Sequence, residues 1–258
     1  MDIEAVRSGI KEDIGREIFF YDTVGSTNTV ALELAEGTNE GAVVISDSQE
    51  RGRGRLGRSW VSPPGLNIYM SIILRPRITP DQVTLITLLS AVACAHAMRK
   101  TTGLAIAVKW PNDLMVADKK LGGILTEIKT TTKEVVCAVI GIGINVNMQA
   151  GDFPEEIRVS ATSVKNETGQ SFLRERIVSE ILNETDRWYR VLNSGQKQEI
   201  ISEWQRLTST LGRQVLVTAG QETYTGLAEA IDDGGILLIR LPTGEIKRIS
   251  SGDLTVLK

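Results

Sequence analysis

Residues 49–60 read Gln-Glu-Arg-Gly-Arg-Gly-Arg-Leu-Gly-Arg-Ser-Trp, and no regular element can be built from them. Three glycines break any helical or strand pattern, each costing about 0.5–1 kcal/mol in an element interior. On either side, residues 42–46 and 67–74 are apolar runs of strand length, the second entered from a Pro63-Pro64-Gly65 turn. The fold therefore has to carry a long arginine–glycine loop between two buried strands. Charge is concentrated in the same place. The whole chain has a formal charge of -3, whereas residues 49–60 carry +3, four arginines against Glu50. Glycine permits positive φ and close backbone approach, arginine offers a planar fork to carboxylate or phosphate, and a Trp face can stack on a base. Such a loop suits closure over an anionic, aromatic small molecule such as a nucleotide. A flexible, solvated basic loop is the plainer reading of the segment taken alone.

The 258 residues suffice for one large domain with a small companion, and 41% hydrophobic with 24% charged residues is ordinary for a globular protein. A pI near 5.5 argues against general nucleic-acid binding through net charge. No apolar run reaches the ~18 residues of a membrane span, so no membrane association is expected. The N-terminal residues MDIEAVRSGIKEDIG hold early acids and no apolar leader core, which makes the cytoplasm the expected compartment. Cys94 and Cys137 sit in apolar surroundings and read as small buried hydrophobes. A single His96 within an apolar helical pattern excludes a zinc site or a histidine-based triad, and no metal-ligating residues are assigned.

Apolar spacing predicts a short amphipathic helix over 3–14 and a strand over 18–21. A helix capped by Ser26-Thr27-Asn28-Thr29 follows and ends near Gly37. The longest helix is expected from Thr79-Pro80-Asp81 to about residue 101, then a strand over 105–110 stopping at Pro111-Asn112-Asp113. Residues 114–116 and 121–129 read as a hairpin, 134–146 as a long strand, and 172–193 and 197–209 as amphipathic helices. From Arg213 the texture changes to about five short alternating segments separated by Gly and Asp turns, a small barrel-like meander. The boundary is placed at residues 210–212, giving domains 1–210 and 211–258.

Three further strings matter: Lys109-Trp110-Pro111-Asn112-Asp113, Lys120-Leu121-Gly122-Gly123-Ile124-Leu125 and Gly141-Ile142-Gly143-Ile144-Asn145-Val146-Asn147. Singly they read as a turn, a lysine at a hairpin, and a strand with a bulge. The third lacks the last glycine of a dinucleotide fingerprint, and the arginine loop lacks the G-K-[ST] ending of a Walker A loop. Together, in this order and with Ser26-Thr27-Asn28 and Gln49 ahead of them, they resemble the biotin–protein ligases, also called biotin–[acetyl-CoA-carboxylase] ligases. The resemblance covers about the whole chain.

The resemblance implies a mixed α/β sheet with helices, similar to the core of class II aminoacyl-tRNA synthetases, followed by an SH3-like barrel. It implies ATP-dependent attachment of biotin, through biotinyl-5′-AMP, to a lysine of a biotin carboxyl carrier protein or domain, with Mg2+ as cofactor. By resemblance Ser26, Thr27, Asn28, Gln49, Gly52, Arg53, Gly54, Arg55 and Lys120 hold biotin. Arg55, Arg58, Trp60, Asn112, Asp113, Lys120 and Asn145 hold ATP or the adenylate, with Trp60 stacking on adenine. Arg55, Lys120 and Asp113 are the catalytic candidates, Asp113 to orient the incoming amine, and the arginine loop is expected to order when biotin binds. A homodimer is compatible with the resemblance, although these residues leave oligomeric state open.

Two departures stand out. Glu50-Arg51 occupies positions where many members carry small neutral residues. About 17 residues precede the first catalytic strand, too few for the DNA-binding domain of some relatives, so a monofunctional ligase is expected. Two rival readings are a lipoate–protein ligase of the same fold and an arginine/glycine-loop nucleic-acid-binding protein. The former class lacks GRGRxGR followed by KWPND, and the latter leaves KWPND and KLGGIL idle.

Overall fold

The computed structural model describes residues 1–257. In chain order, α1 (Ile3–Gly9), β1 (Ile18–Val24), α2 (Thr27–Leu34), β2 (Val43–Gln49) and β3 (Ile68–Leu74) lead to the long α3 (Thr84–Thr102). Then come β4 (Ile106–Lys109), β5 (Asp113–Val116), β6 (Lys119–Thr130), β7 (Val135–Ile144), α4 (Val164–Thr168), α5 (Arg174–Asn193) and α6 (Lys197–Leu207). The C-terminal module holds β8 (Gln214–Ala219), β9 (Glu222–Ile231), β10 (Leu237–Arg240), β11 (Ile246–Ile249) and β12 (Asp253–Val256).

Seven strands form one mixed sheet in the order β1-β2-β3-β7-β6-β5-β4. Only the β1–β2 pair is parallel; the other neighbours run antiparallel. β3 is buried along its whole length, which is why its sequence, Ile-Tyr-Met-Ser-Ile-Ile-Leu, reads as a run with little alternation. One face packs against α3, which in turn contacts α5 and α6. On the other, Ala31 of α2 and Ala35 just beyond its end meet Val44, Ile73 and Val139.

Residues 80–102 meet the length and hydropathy of a membrane span, with mean hydropathy 1.3, contrary to the expectation that no such segment exists. Two-thirds of its most apolar 18-residue window is buried, so its apolar surface is used in packing against the sheet and two helices. The first helix stops at Gly9 instead of continuing to residue 14. The amides of Asp13 and Ile14 donate to Asp186 Oδ1 at 3.1 and 3.2 Å, while Ile14 still reaches the core from this non-helical turn. Both cysteines are free and buried, and burial pushes the Cys94 thiol up to about 12. His96 Nε2 lies 2.5 Å from Glu203 Oε1 and packs 5.9 Å from the Trp188 ring, a contact among α3, α5 and α6.

Five antiparallel strands make the C-terminal sheet, in the order β11-β10-β9-β8-β12. It is tied to the larger sheet where the chain passes from α6: Ser209 N donates to Val108 O and Trp110 N donates to Thr210 Oγ1, each at 2.9 Å. Val215, Val217 and Leu237 share one continuous core with α3 and β5.

Candidate active site

Between the small module and one end of the sheet, where β2, β4 and β7 finish and β5 and β6 begin, lies a cavity of about 390 Å³. Its floor is the β6–β7 pair, where Gly123 faces Gly143. Glycine is needed there for space. A Cβ on Gly143 would lie 2.6 Å from Trp60 Cε2 and Nε1, and one on Gly141 would overlap Asn28 Oδ1 with Cγ at 2.8 Å. Trp60 thus lies against one glycine and Asn28 against the other, two residues apart on the same strand face.

At the α2 end, Gln49 Oε1 accepts from Thr27 N at 2.9 Å and from Thr27 Oγ1 at 3.2 Å, and Gln49 Nε2 donates to Ser62 Oγ at 3.0 Å. Asn28 Nδ2 donates to Leu125 O at 3.1 Å and to Glu127 Oε2 at 2.8 Å, while its Oδ1 lies 2.6 Å from Ser71 Oγ. The Asn28 amide is therefore committed to protein partners, tying α2 to β6. Ser26 is buried at the helix start and lines the cavity without capping the helix through its side chain.

The arginine loop folds as a closed arm. Trp60 N donates to Gly52 O at 2.9 Å, Gly54 N to Arg58 O at 2.7 Å, and a single turn over Arg55–Gly57 forms the tip. Gly52 has no room for a side chain, since a Cβ would meet Trp60 O and lie 2.7 Å from Ser62 Oγ. Three arginines fasten the arm to three parts of the fold. Arg53 pairs with Glu127 at 2.8 Å, and Arg55 donates to Asn112 Oδ1 at 3.2 Å and Gly252 O at 3.3 Å. Arg58 makes a fork with both Asp253 oxygens, one contact at 3.2 Å. Burial draws the Arg55 pKa down against the pull of Asp113 and Asp253, yet a guanidinium stays charged at any pH of interest. The Arg58 hydrogen bond holds the Asp253 carboxyl below its usual range.

Lys120 Nζ lies 2.6 Å from Asp113 Oδ1 and 5.7 Å from the Trp60 ring centroid. Its backbone is pinned by Lys120 N to Ser160 O at 2.8 Å and Thr162 N to Lys120 O at 2.9 Å. Lys119, the first residue of β6, is exposed, so the strand begins one residue before Lys120 and not at it. Asn112 and Asn145 are buried at the cavity wall, donating to Ile124 O at 2.6 Å and Thr162 O at 3.0 Å. Trp60 Nε1 is buried without a partner among the described residues.

Of the site residues expected from sequence, all but Gly52 line this one cavity, and Asn147 turns away to bond the Phe172 backbone. Ser71, Glu127, Gly252 and Asp253 were missed. Ser71 pairs in register with Gly141 across β3–β7, and Glu127 follows Gly123 and Leu125 at alternate positions of β6. Alternation after KLGGIL is a signal that could have flagged Glu127. Nothing local to Gly252-Asp253 points to the site. Among the described residues no group of three or more His, Cys, Asp or Glu is placed to hold a metal.

The profile of the biotin/lipoate A/B protein ligase family matches residues 20–145, and that of the biotin protein ligase C-terminal domain matches residues 210–254. The chain is similar to the bifunctional ligase/repressor BirA of Bacillus spizizenii, 37% identical over 251 residues, which make 96% of this chain and 77% of that protein. It is similar also to the biotin–[acetyl-CoA-carboxylase] ligase of Paracoccus denitrificans, 33% identical over 224 residues, 85% of this chain and 92% of that one. The solved biotin protein ligase from Aquifex aeolicus in complex with biotin and ATP matches with a TM-score of 0.82 at 27% identity, covering 94% of this chain and 100% of that one.

Proposed function

The chain belongs to the biotin protein ligase family, and from that premise we propose how its residues join biotin to protein. It is an ATP-dependent ligase working through biotinyl-5′-AMP. In the first step the biotin carboxylate attacks the α-phosphate of ATP, and pyrophosphate leaves. Two anions must meet, so fixed cations have to cancel their repulsion. Each one aimed at developing charge in a closed site is worth about 2–4 kcal/mol.

One observation carries the assignment of roles: Lys120 Nζ, Asp113, the half-buried Arg55 and the Trp60 ring converge on one cavity above a floor of glycines. Ser26, Thr27 and Gln49 offer short polar groups to the biotin ring, with Asn28 holding the helix start in place. Gly52, Arg53 and Gly54 form the arm over it. Lys120 serves the carboxylate and then the bridging phosphate, Arg55 and Arg58 serve the phosphates, and Trp60 takes the adenine face. Asn112 and Asn145 shape the nucleotide wall.

In the second step the ε-amine of a carrier lysine attacks the mixed anhydride and AMP departs. That amine is protonated at neutral pH and has to lose a proton, and Asp113 is the carboxylate placed to orient it. Mg2+ would enter with the nucleotide and would offset phosphate charge beside Lys120 and the arginines. The acceptor is a biotin carboxyl carrier protein or domain, the compartment the cytoplasm, and the working form a monomer or homodimer.

Mixing the protein with biotin, ATP, magnesium and a biotin carrier domain tests the reading through incorporation of biotin. Thermal shift separates the rivals, because a ligand at 100 times its Kd adds about 2.7 kcal/mol. Biotin with ATP–Mg should give the largest shift; a larger one from lipoate or an oligonucleotide would favour the other readings.

A further inference from the structure

Five cations line the cavity: Arg53, Arg55, Arg58, Lys109 and Lys120. Four have been given work. Three of those are faced by carboxylates, Glu127 for Arg53, Asp253 for Arg58 and Asp113 for Lys120. Lys109 makes no ion pair among the described residues, although it is half-buried in the wall.

Its position is fixed by the backbone around it. Lys109 is the last residue of β4, paired in register with Asp113 on β5, so both side chains leave the hairpin on the same face. The strand end is clamped on its outer side by Ser209 N to Val108 O and by Trp110 N to Thr210 Oγ1, each at 2.9 Å. After Arg58, the charges of Lys109 and Lys120 help hold the Asp253 carboxyl low, so the Lys109 field reaches the wall formed by the small module. Lys109 therefore stands on the Asp253–Arg58 side of the cavity, opposite Asn28 and Glu127, where biotin is placed.

We propose that Lys109 binds the β- and γ-phosphates of ATP and neutralises the pyrophosphate as it leaves. This rests on the biotin-ligase reading of the cavity and extends it to a residue with no role so far. The electron count needs nothing more. A biotin carboxylate oxygen forms a bond to the α-phosphorus, the bond from that phosphorus to the β-bridging oxygen breaks, and the electron pair stays on pyrophosphate. Lys109 keeps its proton throughout and acts as a charge. An ammonium on a clamped strand end is already in place when the charge develops. In the second step no pyrophosphate is present, so Lys109 has nothing to do there, whereas Lys120 is placed to act in both.

The half-reactions can be measured apart. For Lys109→Gln, biotin-dependent pyrophosphate exchange should lose at least tenfold in kcat/KM for ATP, and inhibition by added pyrophosphate should weaken by a similar factor. Transfer from synthetic biotinyl-5′-AMP to a carrier domain should stay within twofold of wild type. Lys109→Arg should recover most of the exchange activity, since a guanidinium also neutralises phosphate. Equal losses in both half-reactions, or unchanged pyrophosphate inhibition in Lys109→Gln, would overturn the assignment, whatever happens to the melting temperature. Absence of transfer by the wild-type protein itself would instead overturn the ligase reading beneath it.

Discussion

Replacing Gly143 with alanine would put a methyl carbon 2.6 Å from Cε2 and Nε1 of Trp60, and the collision has few exits. β7 is held on both sides, Gly143 pairing with Tyr69 on β3 and with Gly123 on β6, so the strand cannot retreat. The indole has to move. If it stays, overpacking costs about 1–3 kcal/mol. If it leaves, the adenine loses a stacking face worth about 1–3 kcal/mol, or roughly 5- to 150-fold in affinity for ATP. Gly141 supplies the control. Its alanine would strike Asn28, on the opposite side of the cavity, and leave Trp60 alone. Initial rates of biotin-dependent pyrophosphate exchange, with each substrate varied in turn, would read both variants. Gly143→Ala should raise KM for ATP about tenfold and leave KM for biotin within twofold, and Gly141→Ala should do the reverse. Equal rises in both constants for either variant would refute the division of the cavity into a biotin end and a nucleotide end.

Lys120→Ala removes the ammonium 2.6 Å from Asp113 and should slow adenylate synthesis at least tenfold, about 1.4 kcal/mol of barrier, by pyrophosphate exchange. Asp113→Asn keeps the shape but not the charge, and should slow transfer from synthetic biotinyl-5′-AMP at least tenfold; intact synthesis and transfer together would remove Asp113 from the mechanism. Asp253→Asn frees Arg58. Because the folded carboxyl is held below its usual range, the contact is complete above the ordinary pKa near 4 and fades only as pH falls through the depressed value. The pair is exposed, 62% and 46%, so it contributes roughly 0–1 kcal/mol. The difference in melting temperature between Asp253→Asn and wild type should be at most about 4 °C and flat from pH 6 to 9; a slope near neutrality would contradict this.

Residues whose chemistry is announced by near neighbours were legible without coordinates. Gly143 is needed because of Trp60, but both lie in strings whose glycine spacing already marks close approach. Lys120 was set apart from Lys119 as the residue that opens the glycine-rich strand; β6 begins at Lys119 instead, and burial separates the two, Lys119 exposed and Lys120 half-buried in the cavity wall. What could not be read depends on register and on chain return. Ser71 is an ordinary serine in an apolar run until β3 is laid beside β7, opposite Gly141. Asp253 is an ordinary acid until a strand of the small module is brought to Arg58 from 195 positions away. Helical periodicity also overran at residues 10–14, where Ile10 and Ile14 fit the spacing but the Asp186 carboxylate takes the amides of Asp13 and Ile14 for itself. α3 gave up its amphipathic signal for a related reason: it is covered on several sides, so small and apolar residues occur all round it.

The grip of Gly252 and Asp253 on Arg55 and Arg58 spans 197 and 195 residues. During synthesis at about 5–20 residues per second, the arm would therefore emerge from the ribosome at least roughly ten seconds before its latch is made. Until then the arm has only Glu127 and Asn112 to hold Arg53 and Arg55 over the floor, and Arg58 has no carboxylate partner. A reactive acyl-adenylate released by a nascent chain would acylate whatever amine it met. Joining the arginine loop to one of the last turns leaves its fastening incomplete until translation has passed both.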